Sequence, residues 1–338
     1  MNSKVDIVID YLTFTVKFCL NPDELIESIL GMDTDLFEVT KGVNFYSSAK
    51  YYDNIRVCYD GNGRNDQNMG VCFIMSGQGL RTYENHTNQS ALIILHAISN
   101  NPNISISRID IACDDKSNIL DINTIWEYAK AKNYRTRLSS KSFYESFKGD
   151  ISEKSLYWGA TKSECRICIY DKAKEQYDPD RHPKHYSSHW IRVELRIKGF
   201  YAKQVLALLV HSDNIGDTVS GIINDKFTFI NRDNENITRC SVPVWWENFI
   251  GAVEDVTLLT KPKNQHYIET HLDWLRHSVS RTIAKVYVAI GDVEFDNKII
   301  QYGKEKLTDS DKKQIRDYKK SAKEKRVKTE IEGMDNEQ

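Results

Sequence analysis

A chain of 338 residues, 40% hydrophobic and 28% charged, can bury a substantial core as one large domain or two modest ones. It has no apolar run near the roughly 20 residues that span a bilayer and no secretory signal in its first ten residues, so neither a membrane-spanning nor a secreted protein is expected. A net charge of −2 gives no overall basic footprint for nucleic acid, and seven scattered cysteines read as reduced thiols of a cytoplasmic protein.

The segment from Val5 to Phe18 is rich in β-branched and aromatic residues, with Leu12, Phe14, Val16 and Phe18 in alternation, and predicts a strand. Asn21 as cap, Pro22 in the first turn, Glu24 three residues on and Gly31 as the stop predict a helix. Strands are expected at Tyr51–Tyr59 and Val71–Ser76, closed by the glycine turns Gly61-Asn62-Gly63 and Gly77-Gln78-Gly79. A helix follows from Gln89 to Ser99. Three segments then read as strands: Ile104–Asp114, Arg166–Tyr170 and Ile191–Lys198. Between the first two lie a helix at Ile122–Ala131 and a strand at Ser155–Gly159. The polar turn Thr161–Glu164 joins that strand to Arg166–Tyr170 as a hairpin. Beyond residue 200 the chain is expected to be helical, at Tyr201–His211, Thr218–Ile223, Val244–Val253 and Tyr267–Ile290.

The expected fold class is α+β, a mostly antiparallel β-sheet with helices packed on one face, followed by a helical C-terminal part. Residues 1–199 would form the sheet domain and 200–305 its helical completion. Residues 306–338 would form a basic polar helix or tail, with nine lysines and arginines against three acids between Asp311 and Lys328. By default that stretch is solvated, and contact with DNA would be through phosphates.

Residues two apart in a strand share a face. In the first of the three strands Ile109, Ile111 and Cys113 oppose Arg108, Asp110, Ala112 and Asp114; in the second, Ile167 and Ile169 oppose Arg166, Cys168 and Tyr170. In the third, Ile191, Val193, Leu195 and Ile197 oppose Arg192, Glu194, Arg196 and Lys198. An antiparallel sheet ordinarily has one wet, charged face, and pattern alone leaves open whether the three strands are neighbours. If they are, the face gathers carboxylates suited to Mg²⁺ or Mn²⁺ and arginines suited to phosphate. The same face carries a tyrosine able to form a covalent phosphotyrosine link.

"SRIDIACDD" (Ser107–Asp115), "LYWGATKSECRICIYDKAKEQ" (Leu156–Gln176) and "WIRVELRIKG" (Trp190–Gly199) resemble blocks of the trans-acting rolling-circle replication initiator family. That family takes in plasmid initiators, phage replication initiation factors and relaxases of conjugative elements. "IDYLTFTV" (Ile9–Val16), "MSGQGLRTYE" (Met75–Glu84) and the helical "WWENFIGAVE" with "THLDWLRHSVSRTIAKV" continue the likeness in family order, across about residues 5 to 290. The resemblance implies a metal-dependent DNA nicking and rejoining enzyme in which Tyr170, from the family's Ile-Tyr-(Asp/Asn)-Lys block, is the nucleophile. It implies Asp110 and Glu194 as carboxylates for Mg²⁺ or Mn²⁺, with Asp114 as a third. Arg196 stands where plasmid members carry a second acid. Arg166 and Arg192 would contact the scissile phosphate, and Lys172 would help neutralise the phenolate.

The implied partner is DNA at a replication or transfer origin bearing a hairpin, with a homodimer and a host helicase; the chain has no ATP-binding motif of its own. The alternatives are a conjugative-element relaxase with the same chemistry, a non-catalytic DNA-binding replication-control protein, and a nuclease in which water attacks. Several other features read as structural. Cys165 and Cys168 point to opposite faces of a strand, and no second pair exists to make a zinc site. His182, His185 and His189 fall in a loop around Pro183 with no His-x-His pairing. Gly77-Gln78-Gly79 reads as a tight turn, and at least one of Trp245 and Trp246 as core.

Overall fold

The computed structural model describes residues 5–17, 21–61, 69–148, 151–176, 189–212, 214–254, 272, 275, 280–307, 312, 315–316 and 318–319. The chain divides into two compact units, residues 1–22 with 37–258 and residues 23–36 with 259–338. The first unit is built on a ten-stranded sheet. Its strands are β1 (Val5–Val16), β2 (Glu38–Lys41), β3 (Tyr46–Tyr52), β4 (Ile55–Gly61), β5 (Val71–Ser76), β6 (Ile104–Asp115), β8 (Lys141–Lys148), β9 (Ile151–Trp158), β10 (Cys165–Asp171) and β11 (Ile191–Lys198). They run in the order β2-β3-β4-β5-β1-β6-β11-β10-β9-β8, every pairing antiparallel. A small second sheet pairs β7 (Tyr134–Thr136) with β12 (Phe227–Phe229).

The apolar face carries the core. Helices α2 (Gly77–Thr87), α3 (Leu92–Asn100), α4 (Ile122–Lys130), α6 (Gly199–His211), α7 (Ile215–Lys226) and α8 (Val244–Glu254) belong to the same unit. Among them α6 packs on β6 and β11, α8 on β1, and α7 on α8. Ile109, Ile111, Ile167, Ile169, Val193, Leu195 and Ile197 are buried there. Beneath β9, Trp158 packs on Phe227 at 4.4 Å between ring centroids, and Phe229 packs on Trp246 at 5.1 Å. Both tryptophans are fully buried, so Trp246 is core. This aromatic nucleus locks the small sheet beneath the large one, and burial of such rings dominates core energetics.

The structure corrects the sequence reading in three places. The strand expected at Tyr51–Tyr59 is two strands, β3 and β4, because Asp53 and Asn54 adopt positive φ (36° and 68°) and turn the chain back. Gly77-Gln78-Gly79 is the start of α2 rather than a turn, with the Ser76 hydroxyl accepting from the Gly79 amide as its cap. Strands β2, β7, β8 and β12 were not expected.

In the second unit, the stop expected at Gly31 is observed: Gly31 takes φ 62° after the π-helical turn Ile26–Leu30. Of the long helix expected over 267–290, Ser280–Ile290 is observed as helix and most of the remainder lies outside the described residues, as do His182, His185 and most of the basic stretch 311–328. No helix among the described residues is long and apolar enough to cross a membrane.

Candidate active site

The three strands singled out by their polar alternation are neighbours in the sheet, with β11 between β6 and β10. Register sets Arg192 opposite Asp114 and Tyr170, Glu194 opposite Ala112 and Cys168, and Arg196 opposite Asp110 and Arg166. The polar face therefore forms cross-strand rows, and its small members Ala112 and Cys168 stand on either side of Glu194.

Tyr170 sits at the end of β10, just before the helical turn α5 (Lys172–Glu175). Asp171 caps that turn by accepting from the Lys174 amide at 3.0 Å. The Tyr170 hydroxyl donates to Glu194 Oε2 at 2.9 Å. Burial first, and the Glu194 carboxylate next, push the phenol well above its ordinary pKa, while Arg192 works against them. The resting phenol is thus a neutral donor.

Burial also works to raise Glu194, but the hydrogen bond and charge of Arg196, together with the Tyr170 hydrogen bond, outweigh it and hold this carboxyl below the usual range. The Lys172 ammonium lies 5.6 Å from the Tyr170 ring centroid and pairs with Glu175 at 2.5 Å.

Each carboxylate of the face meets an arginine. Arg196 Nε donates to Glu194 Oε1 at 2.7 Å. Arg108 grips Asp110 through Nε at 2.9 Å and Nη2 at 2.5 Å. Arg192 grips Asp114 through Nε at 2.6 Å and Nη2 at 2.8 Å, and its Nη1 reaches Asp10 Oδ1 at 2.7 Å. Arg192 is thus a buried guanidinium held between two acids, and both Asp114 oxygens are engaged.

Among the described residues no three His, Cys, Asp or Glu side chains converge closely enough to hold a metal ion by themselves. Asp110 and Glu194 nonetheless supply hard oxygen donors on one face. Burial pushes Asp110 up to about 6 against the pull of Arg108, with Glu194 adding to the rise. Each of these carboxylates is held by an arginine, Asp110 by Arg108 and Glu194 by Arg196, so a divalent cation would have to displace a guanidinium to reach them.

This arrangement of tyrosine, carboxylates and arginines on one sheet face lies within the matches to two family descriptions. One is the replication initiation factor, matched over residues 104–302. The other is the rolling circle replication initiation protein N-terminal domain, matched over residues 6–94. The first alone spans more than half of the chain. The chain belongs to the replication initiation factor family.

A putative DNA relaxase NicK of Bacillus subtilis (strain 168) is 29% identical to this chain over 322 residues, covering 91% of this chain and 88% of the relative. The solved rolling circle replication initiator protein of Geobacillus stearothermophilus superposes with a TM-score of 0.65 at 23% identity. That match covers 75% of this chain and 98% of the other, and shows a shared fold.

Within this replication initiation factor the structure brings Tyr170, Glu194, Arg192 and Asp114 together, with Asp110 beside Arg196 in the adjoining row. Arg166 lies four residues up β10 from Tyr170, next to Tyr157. His189 sits apart, with Nε2 3.2 Å from Asp115 Oδ2. Asp115 itself also accepts from the Ser117 and Leu120 amides and closes the turn after β6. Cys165 and Cys168 are buried on opposite faces, and burial pushes their thiols up to about 11 and about 12.

Sequence reasoning missed Asp10. A bulge between Ile9 and Tyr11 turns this extra residue onto the polar face. The signal was present: Val5, Ile7 and Ile9 are apolar at odd positions, whereas Leu12, Phe14 and Val16 are apolar at even ones. That phase change requires a bulge at Asp10-Tyr11.

Proposed function

We propose that this chain initiates rolling-circle replication by nicking and rejoining DNA, with Tyr170 as the nucleophile. The observation that carries the reading is the Tyr170 hydroxyl donating to Glu194 at 2.9 Å on the polar face of the sheet. Tyr170 Oη attacks the scissile phosphorus; the new tyrosyl–phosphorus bond forms as the bond to the 3′ oxygen breaks. The phenolic proton is taken by Glu194, a proton ends on the freed 3′-hydroxyl, and the 5′-phosphate stays on the protein. Rejoining is the reverse step. No nucleotide energy is consumed, because the phosphoester is exchanged and not hydrolysed.

Asp110 and Glu194 would hold Mg²⁺ or Mn²⁺, which when bound polarises the phosphoryl oxygen. Asp114, with both oxygens on Arg192, serves better to position that guanidinium than to hold metal. Arg192 and Lys172 favour the phenolate through charge, and Arg166 takes a phosphate. DNA at an origin with a hairpin is the substrate, in the cytoplasm, with a host helicase opening the duplex and a homodimer as the working assembly. Similarity to a DNA relaxase along 91% of the chain favours strand transfer by the same chemistry as the second reading.

The experiment is adduct trapping: a labelled single-stranded oligonucleotide carrying the cognate origin is incubated with protein and Mn²⁺, then resolved under denaturing conditions. A covalent band that vanishes in Tyr170→Phe supports the proposal. Cleavage that persists in Tyr170→Phe would instead mean that water attacks, and binding without cleavage would mean a silent DNA-binding protein.

A further inference from the structure

The polar face does not stop at the acid row. Toward the sheet edge, register places Ser155 of β9 beside Tyr170 and Tyr144 of β8 beside Ser155; in the next row Tyr157 stands beside Cys168, with Ser142 beyond it. Two tyrosines are therefore separated from the nucleophile only by small side chains. The rings of Tyr144 and Tyr157 meet edge to face at 5.8 Å between centroids, and Tyr144 is 59% exposed. Over the Tyr157 ring lie two guanidiniums, Arg166 at 4.2 Å and Arg196 at 6.0 Å.

Arg166 differs from the other arginines of this face. Arg108, Arg192 and Arg196 each hold a carboxylate. The buried Nε of Arg166 has no hydrogen-bond acceptor, and no ion pair engages its guanidinium among the described residues. A desolvated donor with no acceptor is costly, and a cation stacked on an aromatic ring with a donor to spare suits a phosphate oxygen.

We infer that Tyr144, Tyr157 and Arg166 form a shelf that holds the single-stranded DNA adjoining the scissile phosphate, a base stacked on Tyr144, the Tyr157 ring bracing Tyr144 and Arg166, and a phosphate on Arg166. Tyr144 lies in the row of Tyr170, two strand spacings or roughly 10 Å away at the sheet's own spacing, so a strand held there continues directly into the nucleophile's row. The occupant follows from chemistry: the exposed Tyr144 ring takes a base of any sequence, and the guanidinium of Arg166 takes the backbone. This inference rests on the nicking reading, and it adds where the strand lies and why the chain grips it unpaired.

The test is binding of a fluorescent mixed-sequence oligonucleotide by the full chain in the Tyr170→Phe background, followed by anisotropy. Tyr144→Ala is expected to weaken single-strand binding at least about fivefold, and Tyr144→Phe to leave it unchanged. Tyr157→Phe should also bind normally. Duplex of the same sequence should bind equally well to Tyr144→Ala and to its parent. Arg166→Gln should flatten the slope of log affinity against log salt by about 0.7.

Single-strand affinity unchanged in both Tyr144→Ala and Arg166→Gln would overturn the shelf. So would a change in oligomeric state of Tyr144→Ala by light scattering, which would mark the patch as a protein interface. Because Tyr144 is exposed, its removal does not endanger the fold. Adduct formation with Tyr170 intact separates the two ideas. An adduct without shelf-dependent affinity removes the shelf alone, and no adduct on cognate DNA removes the nicking reading.

Discussion

Tyr170 and Glu194 are diagonal neighbours on adjacent strands, and the phenol of one donates to the carboxylate of the other at 2.9 Å. The bond favours the protonated phenol at rest and sets beside it the acceptor that the proposed reaction uses. Tyr170→Phe removes only that hydroxyl. Glu194 retains Arg196, so the loss of stability should be modest, about 1.5–3 kcal/mol for one hydrogen bond to a charged group. The expected outcome is a melting temperature within a few degrees of the parent together with complete loss of the covalent adduct, measured by thermal denaturation and denaturing electrophoresis. An adduct in Tyr170→Phe would transfer the nucleophile's role to another residue.

Arg196 gives Glu194 the positive charge that the proposed cation would bring. Its Nε holds Glu194 Oε1 at 2.7 Å, and its charge also reaches Asp110. Arg196→Gln keeps a donor and removes the competing charge. Divalent-cation affinity should then rise about tenfold, the equivalent of ~1.4 kcal/mol, as read by Mn²⁺ titration with electron paramagnetic resonance. Glu194→Gln should lower the same affinity by a similar factor or more. Equal affinity in the parent and Arg196→Gln would mean that the cation binds elsewhere.

Asp110 gives a pH dependence with a definite sign. Burial raises its folded pKa to about 6 from 3.8, so between those values the folded state binds more protons than the unfolded one. Stability of the metal-free protein therefore falls as pH rises through that window. Asp110→Asn, which is never ionised, should be more stable than the parent at pH 7.5 without metal, by roughly 1–3 kcal/mol. In the parent, Mn²⁺ affinity should drop up to about tenfold per unit as pH falls below about 6, since the proton and the cation compete. A parent whose metal affinity is flat from pH 5 to 8 would remove Asp110 from the site.

Much of this site was legible because alternation is a local property. Ile109 and Ile111 against Arg108 and Asp110, or Val193 and Leu195 against Arg192 and Glu194, assign faces without any knowledge of partners. Adjacency is not local: nothing in "RVELR" says that it lies between the other two strands, and only the sheet order β6-β11-β10 shows it. Strand β8 escaped notice because "KSFYESFK" lies at the sheet edge, where its polar positions blur the pattern. Gly77 was read as a turn residue. Its structural reason is proximity, since a Cβ there would stand 2.5 Å from Asp10 Oδ1, a contact that no sequence pattern announces.

Asp10 and Asp114 hold Arg192 from two sides, and the two acids should behave differently when removed. Asp114 is buried and engages Arg192 through both oxygens, whereas Asp10 makes one contact from a side chain 23% exposed. Asp114→Ala leaves a buried guanidinium short of its main partner, a loss worth about 3–5 kcal/mol for a buried pair. Asp10→Ala should cost about 1 kcal/mol, because water reaches the vacated position. If Asp114 positions Arg192 and does not hold metal, Asp114→Ala should lower the melting temperature sharply while Mn²⁺ affinity below that temperature stays within about twofold of the parent, well short of the tenfold that 1.4 kcal/mol represents. Asp10→Ala should slow adduct formation with little change in melting, since Arg192 then loses the contact that fixes its Nη1 beside the nucleophile's row. A tenfold loss of Mn²⁺ affinity in Asp114→Ala would restore Asp114 as a metal ligand and leave Arg192 held by Asp10 alone in the loaded protein.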